Sequence, residues 1–290
     1  MIRDLLTNEY IARLDVLDLA VKKRLSSVSA GARKSTAKGS SLEFSDFREY
    51  TQGDDLRRID WNGYVRFGRL YTKLFNEERQ ATVNIILDTS TSVRLYREKS
   101  DFAGAFAASA AYIALNNSDM VNIFAIDSSG TSKCTALSSK KAFPRAVTFI
   151  EEALSKEEKT KTSINASVAA LAGERLGEGI SLVISDFFSE DGCDSAVKLL
   201  RSKKQGVILV QILDSRETTF EERGNLRLID SENGSSRELE ITPEMLKRYG
   251  RALEEFKNGL KELALRNEAE YHFFVDSAPL LAAVGELVGR

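Results

Sequence analysis

Between residues 8 and 25, Tyr10, Ile11, Leu14, Leu17, Val21 and Leu25 recur at spacings of three and four with charges between them. That spacing predicts an amphipathic helix, capped by Thr7 or Asn8. Residues 26–41 are rich in Ser, Gly and Ala and offer little to fill a core. After Tyr71 the pattern changes. Apolar runs at 83–87, 121–126, 181–184 and 207–213 read as strands, with a further one at 131–137. Residues 101–115, 140–154, the stretch after Thr162 and 191–203 read as helices. Strands and helices alternating at this pitch predict an α/β fold: a doubly wound, mostly parallel sheet with helices on both faces.

The last third adds a hairpin in which Leu226 and Leu228 face Leu239 and Ile241 across an Asn233-Gly234 turn. Thr242-Pro243-Glu244 starts a long helix with Met245, Tyr249, Leu253, Phe256, Leu260 and Leu263 on one face. Residues 271–275 form a last strand and 280–288 a closing helix. Two domains are expected: residues 1–77, a helix and a small β-rich segment, and residues 78–290, the α/β domain. No internal repeat is evident.

Composition narrows the function. Of 290 residues, 41 are Lys or Arg and 43 Asp or Glu, a net charge of −2 that supplies no global field for nucleic acid. Lys22, Lys23, Arg24, Arg33, Lys34 and Lys38, with no acid among residues 19–42, form a local basic arm. It reads as a solvated loop or as a contact for an acidic partner or phosphate. The two cysteines exclude a disulfide framework and suit a reducing cytoplasm. The single histidine, His272, sits in an apolar run and leaves no histidine for a triad or a multi-histidine metal site. The longest apolar stretch, 102–115, falls short of the ~20 residues of a membrane span. Residues 1–4 lack the pattern of a secretory signal. A soluble, cytoplasmic protein is expected.

The chemistry concentrates in Asp88-Thr89-Ser90-Thr91-Ser92, directly after an apolar strand. In a parallel α/β sheet the carboxyl ends of strands face the ligand crevice. Asp88, Ser90 and Ser92 at alternate positions of a turn can converge on one hard cation, with Thr162 from a second loop and Asp186 from a third. Magnesium suits such oxygen donors, with manganese or calcium as the other ions. If hydroxyls fill the direct positions and Asp186 acts through water, the positive charge is incompletely neutralised. The site then seeks an acidic residue of a partner, which is adhesion and not turnover. An aspartyl-phosphate phosphatase needs a second carboxylate where Ser90 stands, and a serine hydrolase needs a base that is absent. The alternatives are a structural adaptor with a vestigial site and a magnesium-dependent phosphotransferase or hydrolase.

Asp88, Ser90, Ser92, Thr162 and Asp186 together resemble the metal-ion-dependent adhesion site of von Willebrand factor type A domains. The preceding motifs, Glu43-Phe44-Ser45-Asp46-Phe47-Arg48-Glu49-Tyr50 and Gly53-Asp54-Asp55-Leu56-Arg57-Arg58-Ile59-Asp60-Trp61, are similar to the signature of the bacterial domain-of-unknown-function 58 family, whose members carry a von Willebrand A-like domain. The resemblance implies a non-enzymatic interaction module that works with a MoxR-type AAA+ ATPase as adaptor or co-chaperone. Many relatives carry transmembrane helices, and this sequence, in which no span is visible, resembles the short soluble subtype. Thr160-Lys161 stands where the family often has Gly-Gly, which sets a lysine beside the metal-site threonine. Asp54, Asp55, Arg57, Arg58, Asp60 and Trp61 read either as a salt-bridged turn or as a contact surface anchored by Trp61.

Overall fold

A computed structural model describes residues 2–17, 42–77, 81–156, 163–174, 176–189, 191–219, 224–229 and 236–288. Two compact units emerge: Ser29–Gln80, and Met1–Val28 with Ala81–Arg290. In the smaller unit, strand β1 (Leu42–Glu49) pairs antiparallel with β2 (Tyr71–Glu77), with an irregularity between Phe44 and Asp46. The connection carries a 3-10 turn, Leu56–Arg58, and a helix, Trp61–Phe67. Gly68 ends that helix at φ 66°, a left-handed position that glycine takes without a Cβ penalty. The expected β-rich segment therefore also carries a helix. Ile59 is buried and bridges to Thr72.

The larger unit is built on a six-stranded sheet in the order β10-β7-β6-β3-β4-β5. Its strands are β3 (Thr82–Asp88), β4 (Met120–Asp127), β5 (Gly130–Leu137), β6 (Gly179–Ser185), β7 (Gln205–Leu213) and β10 (Glu270–Val275). All pairings are parallel except that of edge strand β5 with β4. The hairpin of β8 (Gly224–Ile229) and β9 (Ser236–Ile241) lies in a separate two-stranded sheet, and its turn falls outside the described residues. The doubly wound α/β class expected from the sequence is the class observed.

Alternation along the strands divides the core between the two faces. Ile85, Leu87, Ile123, Ile184 and Ile212 join one apolar cluster with helix Arg97–Asn116 and helix Phe143–Leu154. Ile86, Phe124, Val183 and Leu209 join the other, with helix Asp194–Ser202 and helix Pro243–Arg266. Strands buried on both faces read as near-continuous apolar runs, which is why they were legible. Helix Pro243–Arg266 starts as expected, with the Thr242 hydroxyl accepting from the Met245 N–H at 3.3 Å.

The amino-terminal helices belong to this unit, so the expected division at residue 77 is drawn differently. Residues 8–17 are helical, preceded by a short helix, Ile2–Leu5. Ile2 and Leu14 are buried in the first apolar cluster. Gly104 makes room for Ile2: a Cβ there would lie 2.3 Å from Ile2 Cδ1 and 2.8 Å from Leu154 Cδ1. Tyr10 and Ser109 hydroxyls lie 2.9 Å apart, and Tyr112 Oη donates to Asp15 at 2.8 Å. Val21, Leu25 and the basic arm at 22–38 lie outside the described residues.

At the amino ends of the strands a buried amide network spans four strands. Asn84 Nδ2 donates to Gln205 Oε1 at 3.0 Å and to the Leu176 carbonyl at 2.9 Å. Asn122 Nδ2 donates to Asn84 Oδ1 at 2.9 Å, and the Ser181 hydroxyl to Gln205 Oε1 at 3.1 Å. Every partner is neutral.

Candidate functional site: the carboxyl edge of the sheet

Asp88 is the last residue of β3, and the parallel registers set it beside the ends of β4 and β6. Its Oδ1 accepts from the Ser90 N–H at 2.9 Å and its Oδ2 from the Ser185 hydroxyl at 2.6 Å. Both contacts fix the orientation of the carboxylate at the strand end. Ser90 precedes a short helix, Thr91–Arg94, yet its side chain does not cap it. The Ser90 Oγ lies instead 3.0 Å from Ser92 Oγ. Neighbouring oxygens around a magnesium ion bound at about 2.1 Å are separated by about 3.0 Å. The hydroxyl pair thus has the spacing of one edge of such an octahedron, and Asp88, Ser90 and Ser92 are the oxygen donors that a hard divalent cation takes.

The turn is braced from below. Thr89 is buried and donates from Oγ1 to the Ile126 carbonyl and to Asp127 Oδ2, at 3.2 and 3.3 Å. Lys156 reaches the same Asp127 oxygen at 3.2 Å. Burial would raise the Asp127 pKa, but the Ser129 hydroxyl and amide and the Lys156 ammonium outweigh it and hold the carboxyl below its ordinary range. Arg94 donates from Nε to the Thr89 carbonyl at 2.7 Å and from its guanidinium to the Lys156 carbonyl. Thr162, with Thr160 and Lys161, lies outside the described residues. The described chain resumes at Ser163, whose hydroxyl accepts from Ala166 N and donates to Asp191 Oδ2 at 2.5 Å.

Asp186 follows β6 and is buried, with its carboxylate committed in an unexpected way. Its Oδ1 accepts from the Phe188 N–H at 3.1 Å and its Oδ2 from Lys99 Nζ at 2.8 Å. Phe187 between them takes φ 61°, an uncommon conformation for a bulky residue. It turns the chain so that its own N–H reaches Ser185 Oγ at 2.8 Å. The Lys99 side chain is 0% exposed. Its ammonium also donates to the Ser92 carbonyl at 3.2 Å and to both Glu217 oxygens at 3.0 Å. Burial opposes the charge on Lys99, and the carboxylates of Asp186 and Glu217 outweigh it, so the pKa rises above its ordinary value. For Glu217 burial prevails and raises the carboxyl. Glu217 also closes a capping box with Asp214, and Tyr249 Oη donates to its carbonyl at 2.6 Å.

Neither Lys99 nor Glu217 was among the sequence-predicted site residues. Lys99 precedes Phe102 and Phe106 by three and seven positions, on one helical face, and both phenylalanines are buried. Asp214-x-x-Glu217 directly after β7 is a capping-box pattern. Both signals were present in the sequence. Among the described residues, no group of three or more His, Cys, Asp or Glu side chains could hold a metal ion.

In the smaller unit the charged motif separates by role. Asp54 accepts from the Thr51 amide at 3.1 Å, from Thr51 and Thr72 hydroxyls at 3.2 Å and from Arg48 at 2.6 Å. The Thr51 amide leads in holding its carboxyl low. Asp55 caps the 3-10 turn through the Arg57 N–H, which leads in lowering its carboxyl in turn. Asp60 pairs with Lys73 at 3.4 Å. These acids brace the turn. Arg57, Arg58 and Trp61 face outward, Trp61 at 57% exposure and edge-on to Tyr64, with Val65 and Phe67 also exposed.

The family described as Protein of unknown function DUF58 matches residues 46–258. An uncharacterized protein of Mycobacterium tuberculosis, Rv1480, is 23% identical over 244 residues, covering 83% of this chain and 77% of that one. Among solved structures, the conserved hypothetical protein BatB of Bacteroides thetaiotaomicron is 16% identical with a TM-score of 0.45, over 72% of this chain and 97% of that one. A von Willebrand factor type A protein of Catenulispora acidiphila is 14% identical with a TM-score of 0.41, over 75% of this chain and 43% of that one. Among the described residues, no helix is long and apolar enough to cross a membrane.

Proposed function

The chain belongs to the DUF58 family, and from that premise and the site geometry we propose that it is a non-enzymatic protein-interaction module of the von Willebrand A-like kind. The observation that carries the reading is the Asp88 turn, where a carboxylate and two hydroxyls, the hydroxyls 3.0 Å from each other, lie together at the carboxyl edge of the sheet. Asp88, Ser90 and Ser92 would hold Mg2+, with Mn2+ or Ca2+ as the other ions of the same chemistry; Thr162 and, through water, Asp186 complete the proposed set. A divalent ion there supplies positive charge to an acidic side chain of a partner. Ser185 and the Ser90 amide orient the Asp88 carboxylate, while Thr89 ties the turn to β4 and Arg94 ties it to the Lys156 carbonyl. We assign the partner as a MoxR-type AAA+ ATPase and the compartment as the cytoplasm, which suits the two buried free cysteines.

Calorimetry of the chain with that ATPase, in Mg2+ and then in EDTA, tests the reading. Binding is expected to require both the metal and Asp88, and to be lost in Asp88→Ala. Association indifferent to both would overturn it. The outward Trp61, with Arg57 and Arg58, supports a second contact through the smaller unit. In that reading Trp61→Ala, and not Asp88→Ala, weakens association.

A further inference from the structure

Lys99 is the unabsorbed feature of the site. A lysine at 0% exposure is rare unless paired, and this one fills all three N–H positions with Ser92, Asp186 and Glu217. Its placement is set by the fold: Lys99 starts the helix behind β3, Asp186 leaves β6 and Glu217 follows β7. Phe188 covers the group, with its ring centroid 5.9 Å from Nζ and its other contact a stacked Phe256 at 5.4 Å.

We propose that Lys99 is a built-in counter-ion of the metal site, which holds Asp186 away from the divalent cation and keeps the affinity of the Asp88 turn for that cation low. The inference rests on the reading that this turn takes a divalent ion. Ser92 joins the two halves, since its hydroxyl faces Ser90 and its carbonyl accepts from the ammonium. A cation bound by that hydroxyl therefore meets a fixed positive charge one residue away, in a site where burial weakens screening. Asp186 favours the ion less than a lone carboxylate would, because the Lys99 ammonium on its Oδ2 offsets its negative charge. Glu217 acts the opposite way. It balances Lys99, so its loss leaves the ammonium less neutralised and the site more hostile to a second cation. Lys99 is thus a positioning residue.

The test is Mn2+ affinity, read by the electron paramagnetic resonance of the free ion, with Mg2+ calorimetry alongside. Lys99→Met is expected to bind Mn2+ at least about tenfold more tightly than wild type, and Glu217→Gln more weakly. Opposite shifts from two partners of one ion pair are not what a merely structural pair produces. Lys99→Met leaves two carboxylates without their counter-charge, so Lys99→Met/Glu217→Gln is compared with Glu217→Gln as a charge-balanced background. The double variant is expected to bind more tightly than the single one. Equal or weaker binding overturns the proposal. Should wild type and Lys99→Met bind alike, and both lose the ion with Asp88→Ala, the metal reading stands and the role of Lys99 falls. Binding of Mn2+ by none of these proteins overturns both.

Discussion

The two ends of one sheet carry two buried polar clusters of opposite character. At the amino ends Asn84, Asn122, Ser181 and Gln205 exchange hydrogen bonds among neutral groups and with the Leu176 carbonyl. At the carboxyl ends Asp88, Asp186, Glu217 and Lys99 combine charges from four separate segments, and the Ser90 and Ser92 hydroxyls meet only each other there. The first network consumes its own capacity and ties strands together. The second carries an uneven charge, which is costly to bury unless it serves recognition. Binding chemistry and structural polarity are thus told apart by charge and depth, since the neutral amides are buried whereas Ser92 and Glu217 at the other end are half-buried.

Stability experiments separate the two ends. Asn84→Leu should cost the most, about 3 kcal/mol by urea denaturation, because Asn122 and the Leu176 carbonyl lose their partners in the core. Its Mn2+ affinity should match wild type. A loss within experimental error would show that the network is dispensable.

Acid comes next. Asp127 has its pKa held below the ordinary 3.8, as do Asp191 and Asp214. A lowered carboxyl contributes stability that is fully present above its unfolded pKa and is lost as pH falls through the folded one. The melting temperature should therefore decline as pH drops below about 3.8, and Asp127→Asn should flatten that decline. Glu217 runs against this trend, since burial raises its pKa and deprotonation costs stability above the ordinary 4.5. An acid limb unchanged in Asp127→Asn would remove that residue from the account.

Ser92→Ala should have the smallest structural effect, within about 1 kcal/mol, because only the Ser90 hydroxyl loses a partner. It should nonetheless weaken Mn2+ binding. Greater damage to stability than to binding would place Ser92 with the structural network instead.

The strands and most helices were legible because their signals are local. Strands β3, β4, β6 and β7 are covered on both faces and read as apolar runs, and the Thr242-Pro243 start of the long helix is a local cap. The Asp88 pentad was legible for a related reason, as a strand end followed by alternate hydroxyls. The short helix Trp61–Phe67 was not, because seven residues with a central glycine carry too little period. Lys99 was read past because a lysine in the first turn of a helix is ordinarily solvated.

Local periodicity by itself determined the order and kind of most elements of the α/β unit, and the Asp88 pentad with the motifs at 43–50 and 53–61 carried the family resemblance. Tertiary structure alone decided that residues 2–17 pack with the α/β unit, since that depends on the gap left at Gly104. It alone also decided that Asp186 faces an ammonium. Lys99 stands 87 positions from Asp186 and 118 from Glu217, and no pattern of period two or 3.6 connects residues so far apart. Only the crossing of strand ends over one helix brings the three charges within hydrogen-bond reach.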